Sequence, residues 1–121
     1  MSNDEDIHKE IATQIVDNAV VLYMKGSKHF PQCGFSARIA SLLNYLEIDF
    51  LDVNVLENFD LRESIKKFSN WPTVPQLYVA GEFIGGCDII LEILASGEFS
   101  ELLQSSKITH NHEALLRAME S

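Results

Sequence analysis

Two cysteines, Cys33 and Cys87, are the residues of this chain best suited to chemistry. Cys33 follows a Pro-containing loop, Gly26 to Gln32, and directly precedes a stretch with helical spacing. A thiol at a helix N-terminus faces unpaired backbone N–H groups and the positive end of the helix dipole. Both favour the thiolate, which is the reactive and metal-binding form. Lys25, across the loop, adds positive charge. The third position after Cys33 is Ser36, so the second thiol with which a dithiol oxidoreductase releases a mixed disulfide is absent. Cys87 also precedes a helix. It reads either as a second thiol near the first or as a small residue filling space beside Gly86.

Two further segments have binding chemistry. Gly85, Gly86, Cys87 and Asp88 open a helix. Paired glycines admit close approach of a ligand backbone, and the free N–H groups of a helix start suit a carboxylate. Asp88 either caps the helix or holds a ligand ammonium. Val74 precedes Pro75, and an extended peptide can pair with an exposed main chain there if the bond is cis, a state that sequence alone does not assign.

The elements that must position these residues follow from periodicity. Ile7, Ile11 and Ile15 mark one face of a helix over Asp4–Asp17. The apolar run Ala19–Met24 predicts a buried strand. Ile39, Leu42, Leu43 and Leu46 give a helix over Gly34–Leu46, Phe50–Val55 a strand, and Glu57–Phe68 an amphipathic helix. Pro72 and Pro75 forbid a helix between Trp71 and Pro75. Gln76–Ala80 and Glu82–Ile84 form a hairpin at Gly81, and Asp88–Leu94 a short apolar helix stopped by Gly97. Phe99–Leu103 reads as a last turn or helix, Ser105–His112 as loose, and Glu113–Met119 as a frayed helix. A strand–helix–strand unit gives parallel strands with a right-handed crossover, and the hairpin adds antiparallel ones. The expected fold is therefore α/β: a mixed four-stranded sheet with helices on both faces, the thioredoxin-like architecture.

Composition bounds the function. The 121 residues suit one domain and carry a net charge of −9, which disfavours nucleic acid as a partner. With 46% hydrophobic residues the chain can build a core, and no apolar run approaches the length of a membrane span. The first ten residues lack signal-peptide and transit-peptide character, so a cytoplasmic location is the expectation. Two cysteines are too few for a disulfide scaffold. His110 and His112 stand in a polar segment and are too little for a metal site.

The stretch from Lys25-Gly26 to Pro31-Gln32-Cys33-Gly34-Phe35-Ser36 resembles the signature of monothiol glutaredoxins of the CGFS type. Trp71 to Asp88, WPTVPQLYVAGEFIGGCD, resembles that family's second signature. The resemblance spans about residues 5 to 105, giving a glutaredoxin domain over 1–105 and a tail, 106–121, expected to be flexible. It implies a glutathione site: Cys33 the reactive thiolate, Lys25 and Arg62 on the glycine carboxylate, Val74 pairing by its main chain, Cys87 and Asp88 on the γ-glutamyl end. From the residues alone Arg62 reads as a solvated helix charge. Where the family often has Pro after Lys-Gly, Ser27-Lys28-His29 stands here, implying a more mobile and more basic loop.

The resemblance also implies a 2Fe-2S cluster with Cys33 as its protein ligand. Such a cluster takes four thiolates. Two chains supply two, and two glutathione thiols complete the set. The expected activities are cluster transfer by a homodimer to iron–sulfur recipient proteins, and monothiol reduction of glutathione mixed disulfides. A BolA-type protein is the implied heterodimer partner.

Overall fold

A computed structural model describes residues 4–120. The chain runs α1 (Asp4–Asp17), β1 (Val20–Met24), α2 (Gly34–Tyr45), β2 (Leu51–Asn54), a 3-10 turn at Val55–Glu57, α3 (Phe59–Ser69), β3 (Gln76–Val79), β4 (Glu82–Gly85), α4 (Cys87–Ser96), α5 (Glu98–Ser105) and α6 (His112–Glu120). The strands lie in the order β2-β1-β3-β4. β1 and β2 are parallel, with Val21 opposite Leu51, and β3 runs antiparallel to both β1 and β4. Helices cover both faces, so the expected thioredoxin-like fold is the one observed. Ala80 and Gly81 turn the β3–β4 hairpin, both at positive φ, as a two-residue turn of this twist requires.

Alternation along the strands divides the core. Val20, Leu22 and Met24 of β1 join Leu77 and Val79 of β3 under α2, α4 and α5. Val21, Tyr23 and Tyr78 point the other way, against Ile7, Ile11 and Ile15 of α1 and Leu61 and Ile65 of α3. α1 is pinned to α3 through Asp4, whose carboxylate accepts from the Ser64 hydroxyl (2.6 Å) and the Lys67 ammonium (2.7 Å). α3 is capped at its start by Asn58, which accepts from the Leu61 N–H, and at its end by Asn70 in the left-handed conformation.

The C-terminal segment differs from expectation. Far from lying loose, it returns to the core. Asn111 donates its N–H to the Leu46 carbonyl (2.7 Å) and caps α6 by accepting from the Ala114 N–H (3.0 Å). Ile108, Ala114 and Leu115 are buried, and Ala118 and Met119 pack beside them. Burying one leucine stabilises by about 1.5–3 kcal/mol, so a short apolar stripe on α6 suffices to seat it on α4. The polar residues around 105–112 hide this, because they serve the turn and the cap. Among the described residues no helix is long and apolar enough to cross a membrane.

Candidate functional site

Cys33 is the N-cap of α2, with extended backbone (φ −151°, ψ 139°). From that position its sulfur faces the first N–H groups of the helix without making a full capping hydrogen bond. The Ser36 N–H is the largest influence holding the Cys33 thiol below the ordinary range. The Phe35 N–H, the Ser36 hydroxyl and the Lys25 charge act in the same direction, and partial burial opposes them. Ser36 is fully buried, and its hydroxyl oxygen accepts from the Lys25 N–H at 3.0 Å. The residue that replaces a resolving thiol thus braces the strand end against the helix start.

The loop between β1 and α2 is tied at several points. The Gln32 N–H donates to the Lys25 carbonyl (2.8 Å), and Gly26 bridges to Pro31. Gly26 sits at φ +92°, and a Cβ there would lie 2.5 Å from the Phe30 carbonyl oxygen, so no other residue fits. Lys28 donates its N–H to Asp52 Oδ2 (2.8 Å) and its ammonium to the Phe50 carbonyl (2.6 Å), with the amine 4.3 Å from the Phe50 ring centre. Where a more mobile loop was expected, the loop is tied down: Lys28 is an anchor on β2, and its ammonium is held at the Phe50 carbonyl.

Opposite Cys33 runs the Trp71–Pro75 segment, with a cis Val74–Pro75 bond. Gln76, fully buried at the start of β3, holds it by donating to the Trp71 (3.3 Å) and Thr73 (3.1 Å) carbonyls. The glycines that follow accommodate the protein itself. A Cβ on Gly85 (φ +148°) would collide with Ile89 at 2.8 Å, and one on Gly86 would come 3.3 Å from Trp71 Nε1. Gly86 is the N-cap of α4. Asp88, in the first turn, makes no capping bond and no ion pair among the described residues, so its exposed carboxylate is available to a ligand. Cys87 is 9% exposed, and burial pushes its thiol up from the ordinary range.

Lys25, Cys33, Arg62, Val74, Cys87 and Asp88 all line one cavity of about 420 Å³. The six residues that the resemblance assigns to the site are therefore brought to one place. Sequence reasoning missed Phe35, Lys66, Trp71 and Thr73, which complete the walls. Lys66 was detectable one helical turn after Arg62, and it pairs with Glu63 at 2.8 Å. Neither Lys25 nor Arg62 is ion-paired among the described residues. Lys25 and Arg62 thus bring two cations to the cavity, the α4 start brings the Asp88 carboxylate, and the Cys33 thiol stands on the wall. His110 and His112 lie outside this cavity, their rings 5.9 Å apart.

A reactive thiol at the start of α2, facing a cis-proline segment, is a thioredoxin-like arrangement, and residues 20–84 match the family described as Glutaredoxin. The chain is 52% identical over 97 residues to a probable monothiol glutaredoxin 2 of Rickettsia conorii, covering 80% of this chain and 91% of that one. It is 50% identical over 101 residues to glutaredoxin 4 of Haemophilus ducreyi, covering 84% and 94%. Among solved structures, reduced poplar apo GrxS14 superposes with a TM-score of 0.76 at 45% identity, over 85% of this chain and 94% of that one. The chain belongs to the glutaredoxin family, in its monothiol, CGFS-type branch.

Proposed function

We propose that this monothiol glutaredoxin binds glutathione in the cavity and, as a dimer, holds a 2Fe-2S cluster that it passes to recipient proteins. One observation carries the reading: the Cys33 thiol, held below its ordinary range, shares one cavity with two cations and with a helix start that bears a carboxylate. Glutathione has two carboxylates and one ammonium. Lys25 and Arg62 take the glycine carboxylate. Val74 pairs with the peptide main chain, and the α4 start with Asp88 takes the γ-glutamyl end.

The donor set fits the cluster. Among the described residues no three His, Cys, Asp or Glu side chains gather at one place, so a single described chain does not offer a complete ligand set. Cys33 is a lone, accessible thiolate donor, and Cys87 is buried. Two copies and two glutathione thiols make up four thiolates. When bound, the cluster supplies iron and sulfide for transfer. Cys33 holds it through sulfur, and the cavity positions the glutathione thiol beside Cys33. Phe30 and Phe35, 75% and 63% exposed, flank Cys33 with apolar surface suited to a second subunit or a BolA-type partner. A reducing compartment such as the cytoplasm keeps both thiols free.

The test is anaerobic reconstitution with iron, sulfide and glutathione, followed by absorption spectra and sizing. A coloured dimer that requires glutathione supports the reading. A cluster that forms without glutathione and requires Cys87 overturns it.

The lowered Cys33 thiol also favours a second reading, reduction of glutathione mixed disulfides. Here the Cys33 thiolate takes the glutathionyl group and releases the substrate thiolate. A second glutathione thiolate then attacks, leaving glutathione disulfide and free Cys33. With Ser36 unable to resolve the intermediate internally, turnover is expected to be weak beside that of a dithiol glutaredoxin.

A further inference from the structure

The two cations of the cavity stand on different elements. Lys25 follows β1, whereas Arg62 belongs to α3. To close on one carboxylate they must be held in register, and no bond between the two side chains does so. The main chain beside Lys25 and the turn that leads into the helix of Arg62 are instead tied to a single atom. Asn54, the last residue of β2, accepts at Oδ1 from the Gly26 N–H (2.9 Å) and from the Leu56 N–H (3.0 Å). Gly26 is the neighbour of Lys25. Leu56 lies in the 3-10 turn that leads through Asn58 into α3.

We infer that Asn54 is a positioning residue: its carboxamide oxygen joins the thiol loop to the start of α3 and so sets the spacing of Lys25 and Arg62. The inference rests on the glutathione reading above. Three features make the joint stiff. Gly26 has no room for a side chain, because the Phe30 carbonyl and the Gln32 N–H close over the place a Cβ would take. Lys28 fastens the far side of the same loop to Asp52, two residues from Asn54 on the same strand. β1 pairs with β2 so that Met24 faces Asn54, which places the loop's root directly beside the joint. An oxygen with two lone pairs can accept both N–H groups, and no apolar side chain can replace it. Losing the joint leaves both cations in place but free to drift apart, and a displacement of the order of 1 Å is enough to weaken a clasp of this kind.

The test compares glutathione with its glycine monoethyl ester, in which the carboxylate contacted by both cations is blocked. In the wild-type chain glutathione should bind about tenfold more tightly than the ester, the size of one charge-assisted contact. In Asn54→Ala that preference should collapse to about twofold while ester affinity stays near the wild-type value. Asn54→Asp keeps an acceptor in place and should retain most of the preference. Asn54→Ser, too short to reach both N–H groups, should lose part of it and serves where the alanine variant does not fold. An equal loss of affinity for both ligands, or an unchanged preference in Asn54→Ala, overturns the inference. If wild-type protein shows no preference for glutathione over the ester, the placement of the carboxylate fails, which is a failure of the functional reading and not of the joint.

Discussion

The starts of α2 and α4 place two thiols on one cavity, and the two thiols are opposite in character. Cys33 is the residue before its helix, and Cys87 is the first residue within its own. An N-cap side chain folds forward over the N–H groups two and three residues on, which here belong to Phe35 and Ser36. Cys87, one position later, has no such reach, and it packs with Leu22, Ile39 and Ile90 in the core. The thiol of Cys33 is accordingly lowered and that of Cys87 raised. A helix start does not by itself activate a cysteine. The position relative to the cap and the burial behind it decide.

Removing each thiol gives the widest separation. Cys33→Ser should abolish glutathione-dependent cluster assembly, and Cys87→Ser should keep most of it, both read from the absorption spectrum after anaerobic reconstitution. Loss of the cluster in both variants would make the two thiols equivalent and undo the contrast drawn here.

Alkylation against pH sharpens the same contrast. Cys33 should react with iodoacetamide first, with its rate midpoint below the ordinary thiol range. Cys87 should react slowly, with a midpoint above that range, because the thiolate is the nucleophile and burial disfavours it. Stability follows in opposite directions. The Cys33 contribution is present above the ordinary thiol pKa and is lost as pH falls through its lowered value. The Cys87 contribution is present below the ordinary pKa and is lost as pH rises through its raised value. Mass-resolved labelling of the folded protein measures both midpoints, and coincident values would refute the assignment.

Periodicity was enough for most of this framework. The isoleucine spacing of α1 and the turn at Gly81 are direct signals, the β-branched and aromatic residues of the run at β1 favour a strand over a helix, and the observed elements lie within a few residues of those expected. The candidate site residues were legible for a different reason: Cys33, Val74, Cys87 and Asp88 stand beside a predicted helix start or a proline and Lys25 across the thiol loop, whereas Arg62 came only from the resemblance. What stayed hidden depends on contacts between distant segments. Gln76 and Asn54 look like ordinary polar residues, and only the folded chain shows which amides and carbonyls they meet. Lys28 reads as a loop cation until Phe50 and Asp52 are brought beneath it. The helix over Glu113–Met119 was legible, but its docking was not, because the polar residues before it hide the turn and cap that return Leu115 to the core.

The charged groups of the cavity can be separated in the same way as the thiols. Lys25→Ala removes a cation with no other ion-pair partner, and a charge-assisted contact is worth about 1.5–3 kcal/mol. Since ~1.4 kcal/mol is tenfold in affinity, glutathione binding should weaken by roughly tenfold or more in a calorimetric titration. Asp88→Ala should also weaken binding, with little change in thermal midpoint, because the carboxylate caps nothing. Unchanged affinity in folded Lys25→Ala would place the ligand elsewhere.

Arg62→Ala should have the smallest effect. Arg62 stands on the surface-facing side of α3, half-buried, one turn before Lys66, which lines the same cavity. Its side chain stays partly open to solvent, and an exposed charge pair typically contributes only about 0–1 kcal/mol. Lys66 also supplies part of the local positive potential when Arg62 is absent, although its pairing with Glu63 limits what it adds. Affinity for glutathione should therefore fall by less than about fivefold, the factor that ~1 kcal/mol allows, and the loss should shrink further as salt is raised. A salt series on the wild type, Lys25→Ala and Arg62→Ala separates the two cations: the Lys25 term should persist at high ionic strength, where the Arg62 term fades. Should Arg62→Ala cost as much as Lys25→Ala and resist salt, the guanidinium makes a direct, desolvated contact as strong as that of Lys25.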